Sequence, residues 1–213
     1  MIEIKNVSKS YKKGKKVIDD LNLKINNGEI LIDGKSIFTD AVEAKKNIGL
    51  VPDNPDIFLK FKGIEYLNFI ADVYEVDEEE RVKEIEKYAK EFSMEEELEN
   101  KIESYSHGMR QKIHIIGALL HKPNNWILDE PITGLDPKAS YDLKKIMKDY
   151  ANEGRTVFFS THILEIAEKL CDRIGIINKG KLVFVGTLEE MRKEFGQKLS
   201  LEEMFLEVTE NEE

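Results

Sequence analysis

The sequence predicts an α/β fold: a mostly parallel sheet core, an antiparallel β portion near the N-terminus and an inserted run of helices. Three observations carry this. The apolar run Trp126-Ile127-Leu128 ends in two adjacent carboxylates, Asp129 and Glu130, and Pro131 stops it, so it reads as a strand delivering acid groups to a site. A second strand-like run, Thr156 to Ser160, follows about one helix later and ends in Thr161-His162. Two neighbouring parallel strands would place Asp129, Glu130 and His162 at one sheet edge, where open α/β sheets bind ligands. Finally, from Asp53 to about Ser104 the apolar residues recur with helical period.

Taken in order, Ile2 to Val7 and Val17 to Ile25 alternate apolar and polar residues on either side of the basic link Lys12 to Lys16, and read as an antiparallel pair. Tyr11, an aromatic at a strand end, is on its own an ordinary edge residue. Asn26-Asn27-Gly28 turns the chain into a short strand, Glu29 to Ile32, that closes in the turn Asp33-Gly34. Ile48 to Val51 is a further strand, stopped by Pro52 before Asp53.

The helical stretch follows. Ile64, Leu67, Ala71 and Tyr74 define one face, and Val82, Ile85, Ala89 and Phe92 another. Ser93 with Glu96 has the pattern of a capping box for a third, acidic helix. Short amphipathic helices need something to pack on, which makes residues 53–104 an inserted helical subdomain within a core of 1–52 and 105–213.

Ser106-His107-Gly108 precedes apolar residues at Met109, Ile113, Ile116 and Leu120, which puts these three at a helix N-terminus. Unpaired N–H groups and the positive end of the helix dipole make that place an anion site; a plain serine N-cap accounts for the same residues. Gly134 and Asp136 mark a turn, and Pro137 opens a helix that Gly154 closes. Another helix spans about Ile163 to Cys171. The strands Ile174 to Ile177 and Lys181 to Val185 flank the hairpin signal Asn178-Lys179-Gly180. Thr187 with Glu190 and Ser200 with Glu203 each start a short helix by the capping-box pattern, and the acidic end is expected to fray.

The chain of 213 residues is 41% hydrophobic, enough to bury a real core. Asp plus Glu outnumber Lys plus Arg by 42 to 32, a formal net charge of -10, which argues against a nucleic-acid binder working through phosphate neutralisation. The single cysteine, Cys171, cannot form an internal disulfide and fits a reducing compartment. No apolar run approaches the roughly 18 residues of a membrane span, and the N-terminus lacks a signal-peptide core. A soluble chain is expected, with any membrane role exercised through a partner.

Together these pieces resemble the nucleotide-binding domain of ATP-binding cassette (ABC) transporters, over nearly the whole chain and in the family's order. Ile127 to Pro131 is similar to the Walker B strand with its catalytic glutamate. Ser106 to Gln111 is similar to the family signature, with His107 where glycine is commonest, a form familiar among exporter-type subunits. Gly134-Leu135-Asp136 matches the D-loop, His162 the switch histidine and Tyr11 the stacking aromatic; Asp53 stands where a glutamine is usual.

The resemblance implies a P-loop NTPase-like core and a set of roles. Asp129 holds Mg²⁺, mostly through water, with Asp53 as the second metal-side residue, and Glu130 polarises the attacking water. His162 contacts the γ-phosphate and Tyr11 stacks on adenine. Ser106, His107 and Gly108 bind the γ-phosphate of ATP held by a second ABC subunit, and Asp136 lies at that dimer contact. Implied partners are a transmembrane permease on another chain and a second cassette, homo- or heterodimeric, with no nucleic acid. The implied location is the cytoplasmic face of the membrane. Two alternatives stand beside this reading: a nucleotide-incompetent scaffold, and a soluble cassette ATPase acting on ribosomes or DNA, which the acidic balance disfavours.

One departure matters. No Gly-x-x-x-x-Gly-Lys-[Ser/Thr] occurs, and Gly28-Glu29-Ile30 runs straight into Leu31-Ile32-Asp33-Gly34, as though two strand segments had been joined and a strand, loop and helix of roughly 30 residues lost between Ile30 and Leu31. That loop provides the phosphate cradle, so the polypeptide without it is expected to be inactive. An omitted segment, a natural deletion and an engineered loss of function all account for the junction. Retention of the other motifs favours omission, and an intact mass of 24.6 kDa would exclude it.

Overall fold

The computed structural model describes residues 2–5, 7–12, 15–21, 29–196 and 199–210. In chain order its elements are β1 (Ile2–Lys5), β2 (Val7–Lys12), β3 (Lys15–Leu21), β4 (Glu29–Ile32), β5 (Lys35–Ser36), α1 (Ala41–Lys46), β6 (Ile48–Val51), α2 (Gly63–Val73), α3 (Glu78–Glu91), α4 (His107–Leu119), β7 (Asn125–Leu128), α5 (Pro137–Asn152), β8 (Thr156–Phe159), α6 (Leu164–Leu170), β9 (Ile174–Asn178), β10 (Lys181–Gly186), α7 (Leu188–Phe195) and α8 (Leu201–Glu210). The chain divides into two compact units, one of Lys45–Ser160 and one of Ile2–Ala44 with Thr161–Glu213.

The first unit is built on the parallel sheet β6-β7-β8, with Val51, Leu128 and Phe159 in one register row. Parallel neighbours need a crossover, and α5 supplies it between β7 and β8. Asp136 caps α5, Pro137 occupies its first turn, and Gly154 leaves it at φ +83°, where a side chain would be strained. Leu143, Ile146 and Tyr150 of α5 are buried as their spacing predicts, and Trp126 of β7, fully buried, lies 5.5 Å from the Tyr150 ring. Close approach of β6 to α4 explains Gly49: a Cβ there would stand 2.7 Å from Pro123 and nearer still to the Ala118 carbonyl.

Adjacent rows of this sheet differ sharply in exposure at its carboxyl end. Val51, Trp126 and Leu128 are buried, whereas Leu50 is 59% exposed and Phe158 48% exposed, in a row with Ile127 between them. Parallel sheets ordinarily bury both faces, so this row is out of keeping with its own residue types.

The helices of 53–104 lie inside the same unit. Leu67 and Ala71 of α2 and Ile85 and Ala89 of α3 are buried as expected, but Val82 is exposed; Glu84 is buried in its turn, with its carboxylate 3.0 Å from Lys122 Nζ. The acidic helix predicted from Ser93 and Glu96 is only the 3₁₀ turn Glu95–Glu97, because Ser93 sits at φ +55° and Met94, not Ser93, precedes the turn. The turn carries no side-chain cap, so the reciprocal Ser93–Glu96 bonds of a capping box do not form.

In the second unit, β2 pairs with β3 and β1 pairs with β4, which carries β5 on its other edge. This corrects the predicted pairing of Ile2–Val7 with Val17–Ile25: the polar run of β2 hid a strand whose short link to β3 makes the hairpin. The predicted turn at Asn26-Asn27-Gly28, the centre of the basic link and the last acidic residues lie outside the described residues. Ile32 opposes Lys35, and the intervening Asp33 and Gly34, at φ 50° and 80°, make the tight hairpin turn that Asp-Gly favours. The β9–β10 hairpin turns the same way at Lys179 and Gly180. A separate core gathers Ala167, Ile176, Phe184, Met191, Leu201, Met204 and Val208 under α6, α7 and α8. The last two of these helices start with the reciprocal caps Thr187/Glu190 and Ser200/Glu203. Among the described residues no helix is long and apolar enough to cross a membrane.

Candidate active site

The carboxyl ends of β6, β7 and β8 form one edge. The ladder runs a residue past the strands, with Asp129 N–H donating to Val51 O (2.9 Å) and Ser160 N–H to Leu128 O (3.0 Å). Asp53 follows β6 in an exposed bend, Asp129 and Glu130 follow β7, and Ser160 follows β8. Three acid groups and a hydroxyl thus leave the same edge of a parallel sheet, where loops converge on ligands in this architecture.

Glu130 departs from the strand at φ 45°, in the left-handed region that costs a non-glycine residue about 1–2 kcal/mol. Its N–H donates to Ser160 Oγ at 3.0 Å, and its carbonyl accepts from Thr133 N–H at 3.2 Å. The same Ser160 hydroxyl donates to Asp129 Oδ1 at 2.5 Å. Among the described residues no group of three or more His, Cys, Asp or Glu side chains could hold a metal alone. One or two carboxylates suffice for Mg²⁺ that arrives with phosphates and keeps its waters, and Asp129 with Asp53 fits that donor set.

Ser106 is the N-cap of α4, its Oγ accepting from Met109 N–H at 3.3 Å. His107 and Gly108 are the first helical residues, whose N–H groups have no partner within the helix. Gly108 lies against the Gly134 carbonyl, 2.7 Å from where a Cβ would stand, and a Cβ on Gly134, at φ +79°, would press on the edge of the His107 ring. The turn that opens α4 and the turn before α5 are therefore in contact. Asp136 caps α5 by accepting from Ala139 N–H (2.9 Å) and holds Lys112 Nζ at 3.0 Å. Those two partners keep its carboxyl below the ordinary carboxylate value.

Two further side chains, which the sequence did not single out for a role, bind the loop after β6 to α4. Arg110 pairs with Asp56 and donates to the Ile102 and Glu103 carbonyls. His114, buried, bridges Pro55 O and the Tyr66 hydroxyl, each at 3.0 Å. Because a carbonyl only accepts, its Nε2 carries the proton and Nδ1 accepts from Tyr66; burial pushes its pKa down and keeps it neutral. Ser160 was also missed, the only signal being a hydroxyl at a strand end.

Tyr11 is in β2, and His162 is exposed in the turn before α6; both belong to the second unit. Gly34-Lys35-Ser36, the nearest thing to a phosphate-loop tripeptide, is the β4–β5 hairpin: Lys35 pairs with Glu43 at 3.1 Å and Ser36 Oγ accepts from Phe38 N–H. No helix N-terminus follows it closely enough to cradle a phosphate. The Ile30–Leu31 junction passes unbroken through β4, which pairs Ile30 with Ile4 and Leu31 with Glu3.

This is the α/β fold of P-loop NTPases. A solved structure described as the ATP binding subunit of an ABC transporter superposes with a TM-score of 0.89 at 27% identity, over 97% of this chain and 98% of that one. The dimeric post-hydrolysis state of the ATP-binding cassette MJ0796, bound to ADP and Pi, shares the fold at a TM-score of 0.73 and 22% identity, over 88% and 99%.

The ABC transporter family model matches residues 16–133. EcsA of Bacillus subtilis, an ABC-type transporter ATP-binding protein, is 34% identical over 188 residues, 88% of this chain and 76% of EcsA. The linearmycin resistance ATP-binding protein LnrL of the same organism is 33% identical over 171 residues, 80% of this chain and 55% of LnrL. The chain belongs to the ABC transporter family, among its ATP-binding subunits.

Proposed function

We propose that the chain is the ATP-hydrolysing subunit of an ABC transporter, energising a permease carried on another chain at the cytoplasmic face of the membrane. The observation that carries this is the convergence of Asp53, Asp129 and Glu130 at the carboxyl edge of the parallel sheet. In this reading Asp129 and Asp53 hold Mg²⁺, Glu130 polarises the attacking water, His162 touches the γ-phosphate and Tyr11 stacks on adenine. Mg²⁺ supplies charge neutralisation on the phosphates. The Ser106-His107-Gly108 turn takes the γ-phosphate of ATP on a second subunit, and Asp136 sits at that contact. The loop after β6 and the helices of 53–104 face the permease; Arg110 and His114 tie that surface to α4.

We further infer that the hydrolytic form carries a strand, loop and helix between Ile30 and Leu31. The exposed Leu50–Phe158 row and the hairpin role of Gly34-Lys35-Ser36 support this. So does the alignment with the Bacillus subtilis protein YhcH, an uncharacterized ABC transporter ATP-binding protein 30% identical to this chain. It runs over 220 positions, 71% of YhcH, but takes in 89% of this chain, about 190 of 213 residues, so roughly 30 positions face no residue here.

Calorimetric titration with Mg-ATP tests both inferences, using the 213-residue chain and the same chain with the corresponding stretch of YhcH placed at the junction. Micromolar binding by the completed chain alone is expected. Equal binding by both would remove the need for the segment, and binding by neither would contradict the proposed function.

A further inference from the structure

We propose that Ser160 is a positioning residue for hydrolysis, its hydroxyl fixing the direction in which Glu130 leaves the sheet. The proposal rests on the reading of Glu130 given above, and its geometry stands independently. Ser160 is itself anchored, since its N–H extends the parallel ladder to Leu128 O at 3.0 Å. From that fixed point one hydroxyl makes two directed bonds: it donates its proton to Asp129 Oδ1 and accepts the N–H of Glu130. A serine hydroxyl has one proton and two lone pairs, so these two bonds set its rotation.

Burial does not demand either bond. Ser160 and Asp129 are both exposed, and water could satisfy each group at little cost. What water could not do is hold Glu130 at φ 45°. With the N–H held by Ser160 and the carbonyl held by Thr133, both peptide planes of Glu130 are fixed, and its Cα–Cβ bond points where the left-handed backbone sends it. The alternative β-region backbone would turn the side chain to another side of the strand end. A threonine preserves both bonds, whereas an alanine removes both without creating a cavity.

Amide hydrogen exchange followed by NMR, on the 213-residue chain and its Ser160→Ala and Ser160→Thr variants, tests the latch directly. The Glu130 amide is expected to exchange about tenfold faster in Ser160→Ala and at the parent rate in Ser160→Thr, with Trp126 and Leu128 amides unchanged in both. In the segment-completed chain, Ser160→Ala is expected to lower kcat about tenfold at constant KM for ATP, and Ser160→Thr to restore it. An unchanged Glu130 amide in Ser160→Ala would overturn the latch, as would a threonine variant that behaves like alanine. A completed parent chain without turnover would instead count against the ATPase reading, leaving the exchange result to decide the role of Ser160.

Discussion

Leu50 of β6 and Phe158 of β8 stand in one register row, each a strand-favouring apolar residue, and both face outward from a parallel sheet. The neighbouring row, Val51, Leu128 and Phe159, turns to the opposite face, where Val51 and Leu128 are buried. The two faces should therefore respond differently to substitution. Phe158→Ser is expected to cost about 1 kcal/mol in the 213-residue chain, its ring being half-buried, against about 2–5 kcal/mol for Leu128→Ala, measured by urea unfolding. Completing the chain at the Ile30–Leu31 junction should raise the cost of Phe158→Ser to about 2 kcal/mol as that face becomes covered.

Gly134 is held in place by both its backbone and its neighbour. At φ +79° any side chain is strained, and a Cβ would enter the His107 ring. Gly134→Ala is expected to destabilise the fold by about 1–3 kcal/mol, and replacing His107 with glycine in the same chain should recover the steric part but not the backbone part. A double-mutant cycle by thermal unfolding reads the coupling.

Asp136 combines a helix cap with an ion pair to Lys112. Asp136→Ala is expected to cost about 1 kcal/mol and Asp136→Asn less, since the amide oxygen still accepts from Ala139 N–H. The folded carboxyl has a lowered pKa, so its contribution is present above the ordinary value of 3.8 and is lost as the pH falls through the folded value. Acid unfolding of the parent and the Asp136→Asn variant checks this sign.

His121 supplies a second pH dependence in a different window. Its ring stacks on Tyr74 at 3.6 Å and bonds to Ile48 O, and burial pushes its pKa down to about 4. The unfolded chain takes up the proton first as the pH drops, so stability is full above about pH 6.5 and declines toward pH 4, by an amount on the order of 3 kcal/mol. His121→Phe should flatten that slope, measured by urea midpoints across this range.

Much of the site was legible because its signals are local. Pro131 and Pro137 punctuate the strand and helix around Asp129, Glu130 and Asp136, and the Ser106 cap is written in the residues that follow it. What escaped depended on distant partners. The pairing of β1 with β4 joins segments whose own patterns match other strands equally well, and β2 lacks any apolar alternation. Val82 lies on the predicted apolar face yet faces outward, while Glu84 is buried against Lys122, a partner 38 positions away. Ser160 shows its role only once β7 and β8 are neighbours, since its two partners lie 30 and 31 positions away.

In the proposed function Glu130 activates water at a nucleotide site completed by a segment between Ile30 and Leu31. Steady-state ATP turnover of the completed chain, parent against Glu130→Gln, tests it most directly, with Mg-ATP binding measured alongside. Turnover in the parent, its loss by about a thousandfold in the variant and unchanged binding are expected. Equal turnover in the two proteins would remove Glu130 from that role.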